Sequence, residues 1–216
     1  MNWQRARTDE KKNERKVAIY QAALTLFIKN GYDKVSFNSI AAEAGFTKSN
    51  MYRYFSSKDD IFLNVFADLF EKWVDDFATQ LQDLPQNVAA VDFADAWVKT
   101  LLAQPKFLDL MPLLFISLER NSSFEQLLEF KRLSMNLLFQ LTVDISRIYP
   151  DIVGENAFRL LTLSYAATAN YWAANTQSEA LKNIYQLEEF QALKPNFEKD
   201  LTTAIEIIIR GLQATH

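Results

Sequence analysis

The chain has 216 residues, 49% of them hydrophobic and 13% aromatic, enough apolar mass for a substantial core and too much for a disordered class. Only 4 glycines and 5 prolines, with no sustained apolar alternation, argue for long helices and against a sheet-based fold. No cysteine and a single histidine, at position 216, exclude disulfides and thiolate chemistry, and no apolar run approaches the roughly 18 residues a membrane span requires.

The net charge of −4 conceals an asymmetry. Residues 1–60 hold 11 Lys and Arg against 7 Asp and Glu, a net of +4, which leaves −8 for residues 61–216. Positive charge gathered in one quarter of an acidic chain points to a polyanion as the partner of that quarter. At the N-terminal side, Arg5, Arg7, Lys11, Lys12, Arg15 and Lys16 form a basic arm suited to phosphate or minor-groove contacts. With Asp9, Glu10 and Glu14 interspersed, a solvated tail is the equal alternative. The segment is charged and lacks an apolar stretch, so no secretory leader is expected and a cytoplasmic location is.

The first helix carries Val17, Tyr20, Leu24 and Phe27 at helical spacing, with Ala22 and Ala23 allowing close approach, and Asn30-Gly31 stops it. Ser36 is a good N-cap for a short second helix whose apolar face is Phe37, Ile40, Ala41 and Ala44. Gly45 stands where a left-handed residue ends that helix, and Phe46 fills the gap that follows. Thr47 then caps a third helix in which Met51 and Phe55 point inward, while Lys48, Ser49, Asn50, Arg53 and Tyr54 form the polar reach. A rod anchored on one side and polar on the other, running from 47 to 55, is suited to the DNA major groove.

These elements resemble the DNA-binding domain of TetR-type transcriptional regulators. The match spans roughly residues 11–66 and rests on Gly31-Tyr32, the Ser36 cap, Ile40-Ala41 with Ala44-Gly45, and Tyr52, Phe55 and Lys58 in register. The resemblance implies that Ser36, Thr47, Tyr52 and Lys58 hold phosphates, and that Asn38, Lys48, Ser49, Asn50 and Tyr54 meet base edges or the adjoining backbone. Chemically, Lys48 suits guanine O6 and N7, and Asn38 or Asn50 suits adenine. Arg53 adds a cation on the same helix. The alternative for Tyr52 is core packing. Asn38, where a longer cation is frequent, and Ser49, where a smaller residue is frequent, depart from the family pattern.

Beyond Lys58, helices are expected at about 59–82, 90–102, 106–119, 123–149, 155–176 and 197–214, with Pro112 able to kink the third of these. The expected architecture is all-α: a helix-turn-helix domain over residues 1–60 and a larger helical effector-binding and dimerisation domain over 61–216. The segment 155–176 carries small residues on one face, including Ala166, Ala169 and Ala173. The last helix is apolar on more than one side, with Ile205, Ile208, Ile209 and Leu212. A helix apolar on two sides needs a second surface, so a two-fold dimer with a four-helix bundle is expected, as the resemblance also implies; the alternative is a deeply buried core helix within a monomer. Such a dimer reads a palindromic operator in double-stranded DNA, its reading helices roughly 34–36 Å apart or a multiple of that.

The resemblance implies a small-molecule effector cavity in the larger domain. Its candidate lining is Phe70, Trp73, Trp97 and Phe115, then Met135, Phe139, Tyr165 and Asn170, and the aromatic content suggests a lipophilic or aromatic ligand. Simple core packing is the alternative for each aromatic residue. No catalytic constellation, metal-ligand spacing or glycine-rich phosphate loop is present, and Glu119-Arg120 reads as a helix-end pair, so neither enzyme nor cofactor is expected. The leading function is a repressor released by an effector; a helical adaptor or ligand-binding protein without operator specificity is the runner-up.

Overall fold

The computed structural model describes residues 2–214, with side chains from residue 13 onward. The side chains of Arg5, Arg7, Lys11 and Lys12, read above as a basic arm, lie outside the described residues, as does His216. Every regular element described is helical. In chain order these are α1 (Asn2–Asn30), a 3-10 turn (Tyr32–Lys34), α2 (Phe37–Glu43), α3 (Lys48–Met51), α4 (Lys58–Gln82), α5 (Ala90–Leu102) and α6 (Pro105–Leu110). A π-helical turn (Leu114–Leu118) leads into α7 (Glu119–Asn121), α8 (Phe124–Ile148), α9 (Glu155–Asn175), α10 (Glu179–Ile184), a second 3-10 turn (Glu188–Leu193) and α11 (Phe197–Gln213).

The long helices fall where the sequence places them, with two differences. The helix expected at 106–119 is broken: α6 ends at Leu110, and the chain re-forms as a π turn after Pro112, which has no N–H to continue an α ladder. The third helix is regular only over Lys48–Met51. Its continuation tightens, with Arg53 N–H donating to Asn50 O at 3.3 Å and Tyr54 N–H to Met51 O at 2.9 Å. The rod therefore passes through two tighter bonds before Phe55 N–H makes an α-type bond to Met51 O at 3.1 Å.

The chain divides into two packed units. One comprises Met1–Asp68 with Leu114–Arg132; the other comprises Leu69–Leu113 with Leu133–His216. The first thus takes in a segment well beyond residue 60.

In the first unit, Ile19, Ala22 and Ala23 of α1 meet Ile40 and Ala41 of α2, Met51, Phe55, and Ile61, Phe62 and Phe66 of α4 in one core. Ile19 and Ala23 of α1 are fully buried, whereas Val17 is exposed. Two adjacent carboxylates are buried at the start of α4. Asp59 accepts from the Tyr32 hydroxyl, from Ser117 Oγ at 3.1 Å and from Asn121 Nδ2 at 3.4 Å. Asp60 accepts from the backbone N–H of Ser56 at 2.9 Å and of Ser123 at 2.7 Å, and Asn64 Nδ2 donates to Gln126 Oε1. A polar seam therefore fastens residues 117–126 to the first two turns of α4, and Phe66 against Phe130 continues it with an edge-on aromatic contact.

The second unit is built on an aromatic cluster. Trp73 lies edge-on to Trp97 with centroids 4.8 Å apart, and Phe77, Phe93 and Phe107 pack around them. Both buried indole N–H groups are satisfied: Trp73 Nε1 donates to Thr100 Oγ1 at 3.1 Å and Trp97 Nε1 to Thr168 Oγ1 at 3.0 Å. Indoles can be buried this deeply only because those threonines accept from them. Helix α11 packs on α9 and α5 through Phe197, Leu201, Ile205, Ile209 and Leu212. This corrects the dimer-face assignment for Ile205, Ile209 and Leu212, which are buried within their own chain. Ala166 and Ala173 remain exposed, Ala169 and Ile208 half-buried, and the large apolar residue that α11 turns outward is Ile207, 65% exposed.

Candidate nucleic-acid interface

The reading elements are fixed by their caps. Ser36 Oγ accepts from Ser39 N–H at 3.1 Å, and Ser39 Oγ accepts from Ser36 N–H at 2.9 Å, a reciprocal box that starts α2. Gly45, at φ +72°, turns the chain between α2 and α3 in a conformation that costs an L side chain strain. Thr47 Oγ1 then accepts from Asn50 N–H at 3.3 Å and starts α3. Met51 and Phe55 anchor this rod in the core, as the spacing requires.

On the outer side, Asn38, Lys48, Ser49, Asn50 and Arg53 are exposed, and their side chains have no hydrogen-bond partner among the described residues. Their donors and acceptors face water, which is the condition for reading a groove. Tyr52 is 54% exposed, so it is not a core residue. Its ring stacks on Phe37 with centroids 4.8 Å apart and planes at 28°, and Lys48 Nζ lies 5.8 Å from the ring centroid. Phe37 thus holds Tyr52 flat against the head, and Lys48 shares that platform.

Tyr54 accepts a hydrogen bond at 3.2 Å from the Arg15 guanidinium of α1. Behind it, Lys16 Nζ lies 6.0 Å from the centroid of Phe55, whose ring also packs on Tyr20. Lys58 is placed differently from the phosphate contact that the resemblance implies. Its ammonium donates to Tyr32 O at 3.1 Å and Val35 O at 3.0 Å and sits 4.2 Å from the Tyr32 ring centroid. Two of its three N–H groups are used within the head, tying α4 to the loop before α2. The side chains of Ser36 and Thr47 are likewise engaged in their caps.

Three contacts were missed by sequence reasoning: Arg15 to Tyr54, Phe37 under Tyr52, and the Asp59–Asp60 seam. Only the last leaves a local signal. Ser57 and Asp60 have capping-box spacing, and Ser57 Oγ accepts from Asp60 N–H at 3.0 Å.

The eight effector candidates do not converge on one cavity. Phe70, Trp73 and Trp97 are buried in the aromatic cluster, and Tyr165 is half-buried with its hydroxyl donating to Met111 O at 2.9 Å. Met135, Phe139 and Asn170 are exposed, and Phe115, also exposed, belongs to the other unit. An open groove of about 940 Å³ in the second unit is lined by none of these eight; Leu84, Pro85, Val88, Leu102 and Thr202 are among its walls. Among the described residues there is no group of His, Asp or Glu placed to hold a metal ion, and no helix is long and apolar enough to cross a membrane.

Comparison with known proteins agrees with this geometry. Residues 19–65 match the model for bacterial regulatory proteins of the tetR family, and residues 67–216 match the tetracyclin repressor-like C-terminal domain. The chain belongs to the TetR family. It is therefore a transcriptional regulator of the non-enzymatic, DNA-binding kind. An uncharacterized HTH-type transcriptional regulator, YfiR of Bacillus subtilis (strain 168), is 33% identical over 58 residues, which is 27% of this chain and 28% of that protein. Among solved structures, the fatty acid degradation regulator FadR from Bacillus halodurans superposes with a TM-score of 0.58 at 15% identity, covering 91% of this chain and 95% of that one. A TetR/AcrR-family regulator from Thermobifida fusca gives a TM-score of 0.55 at 16% identity over 92% of this chain and 98% of its own. At such identities these neighbours bear on the fold.

Proposed function

We propose that this regulator is a cytoplasmic homodimer that binds a palindromic operator and represses transcription until a small lipophilic or aromatic effector releases it. The observation that carries the DNA-reading part is the rod from Thr47 to Phe55. Its inner side is locked by Met51 and Phe55 while Lys48, Ser49, Asn50 and Arg53 face solvent without partners among the described residues. Asn38, Tyr52 and Tyr54 extend the same surface. Lys48, Asn38 and Asn50 have the chemistry to read purine edges, and Arg53 and Tyr52 to hold phosphate.

Dimerisation is supported by small and apolar residues left uncovered on α9 and α11: Ala166 and Ala173, with Ile207 and the half-buried Ala169 and Ile208. The effector part is supported by Met135 and Phe139 on α8, 67% and 70% exposed, whose apolar surface lacks cover among the described residues. Coupling between effector and operator can equal only the difference in effector affinity between the DNA-bound and free forms.

Selection of bound fragments from random duplex DNA tests the proposal. The expected product is an inverted repeat, and a gel-shift titration should then separate it from unrelated duplex by a factor of about 10³ or more at physiological salt. Equal, weak affinity for all duplexes would overturn operator reading and leave a helical adaptor. Loss of the shift on adding a lipophilic effector supports release; unchanged binding across a panel of such compounds would remove the effector from the proposal.

A further inference from the structure

We infer that Arg15 of α1 and Tyr54 of the reading rod act as one hydrogen-bond donor unit on DNA, with Arg15 as the residue that positions Tyr54 and sets its polarity. The inference rests on the proposed DNA-reading role of the head and extends it to a residue outside the helix-turn-helix elements.

The two residues stand 39 positions apart in sequence, and the guanidinium Nη1 donates to the Tyr54 hydroxyl oxygen at 3.2 Å. Both groups lie at the surface. Arg15 is exposed and, among the described residues, has no carboxylate partner. An arginine held in place by a neutral phenol retains its full charge and, among the described residues, four of its five donors for an incoming anion.

The direction of the bond has a further consequence. A phenol is both donor and acceptor, so an unconstrained tyrosine can meet either kind of base edge. Here the oxygen already accepts from Arg15, which turns the hydroxyl proton away from the guanidinium. Tyr54 then presents a donor. Phosphate oxygens and the N7 and O6 edges of purines accept from it, whereas the exocyclic amines of adenine and cytosine do not. Arg15 supplies the phosphate contact, and Tyr54 reads acceptors beside it. Phe55, fully anchored in the core and flanked by Lys16 and Tyr20, fixes the backbone next to Tyr54, so the pair is not a loose surface encounter.

The test uses the full chain and the operator recovered by selection, with affinities measured between about 50 and 200 mM salt. Arg15→Met keeps the aliphatic stem and removes the donors. It should weaken operator binding roughly 10-fold and lower the salt slope by about one unit per half-site. Tyr54→Phe should weaken binding about 5-fold with the slope unchanged. In the double variant the losses should not multiply, since the phenol is already unoriented once Arg15 is gone. Arg15→Lys should restore the slope but not the coupling to Tyr54. Circular dichroism and thermal midpoints should match the parent for all four. Binding by each single variant equal to the parent would overturn the inference, as would multiplying losses in the double, or an Arg15→Lys variant that restores both slope and coupling. If the parent itself showed no operator preference, the underlying DNA reading would fall first and this pairing with it.

Discussion

The Asp60 carboxylate accepts a hydrogen bond from the backbone N–H of Ser123 at 2.7 Å, across 63 residues of sequence. Its other oxygen accepts from Ser56 N–H at 2.9 Å, so one buried anion serves the entrances of two long helices, α4 and α8. Helix entrances carry partial positive charge and free N–H groups, which is why a carboxylate is stable there without a cationic partner.

Removing that anion leaves the N–H groups of Ser56 and Ser123, both in part-buried contacts, without their acceptor. Asp60→Ala is expected to lower the stability of the chain by about 3 kcal/mol, seen as a lower urea midpoint with an unchanged slope. Asp60→Asn, which keeps one acceptor oxygen, should recover part of the loss. Equal stability of parent and Asp60→Ala would show that the seam contributes nothing.

Lys58 and Lys48 should separate stability from recognition. Lys58→Ala removes two hydrogen bonds to Tyr32 and Val35 carbonyls and is expected to cost about 1–2 kcal/mol of stability. Because most of its donors are engaged, the salt slope of DNA binding should change by well under one unit. A full-unit change with stability intact would restore the phosphate role that the resemblance implies.

Lys48→Ala should leave the thermal midpoint within about 1 °C, since an exposed lysine with no hydrogen-bond partner among the described residues contributes little. Operator affinity should fall by roughly 10-fold, with preference relaxed at one base pair. Repeating the fragment selection with the variant reads that preference directly; an unaltered motif would remove Lys48 from base reading.

The outward and inward isoleucines of α11 should behave oppositely. Ile207→Asp is expected to give a folded monomer by light scattering, with operator affinity lost. Ile209→Asp places an unpaired charge in the protomer core and should destabilise the chain by more than about 3 kcal/mol. A fully dimeric Ile207→Asp variant would place the dimer face elsewhere.

Alkaline pH should unfold the chain through its tyrosines. Burial holds the phenols of Tyr20, Tyr32 and Tyr149 above the ordinary tyrosine value, with nearby carboxylates acting in the same direction. The folded form therefore keeps protons that the unfolded chain releases above about pH 10. Stability from these groups is complete below that pH and declines above it. Tyr149 has the further feature that its buried hydroxyl has no hydrogen-bond partner among the described residues. Tyr149→Phe should be neutral or stabilising at pH 8 and should flatten the alkaline decline, both measurable by urea denaturation at a series of pH values.

How far the sequence could be read followed the range of the interactions. Ser36, Gly45 and Thr47 act on their own neighbours, so the start, turn and restart of the reading elements were legible. The register of α1 was not. Val17 and Ile19 are both apolar, yet Ile19 is buried and Val17 exposed, a choice that tertiary packing makes and local spacing does not. The same ambiguity affected α11, where Ile205, Ile207 and Ile209 give apolar surface on two sides and only packing on α9 and α5 assigns the inner one. Trp73 and Trp97 could not be told from pocket walls because the threonines that accept from them lie 27 and 71 residues away. Arg15 and Tyr54 meet across a gap no local pattern spans.

The seam at Asp59 and Asp60 also sets the order in which the chain can mature. Asp59 and Asp60 leave the ribosome long before Ser117, Asn121 and Ser123 do, so for much of synthesis their oxygens have only Tyr32, Ser56 and water to turn to. A fragment ending at residue 68 would retain every side chain proposed to touch DNA and still lack the clasp of the unit that presents them. The reader of this regulator is completed by residues that a cut at the conventional domain boundary would discard.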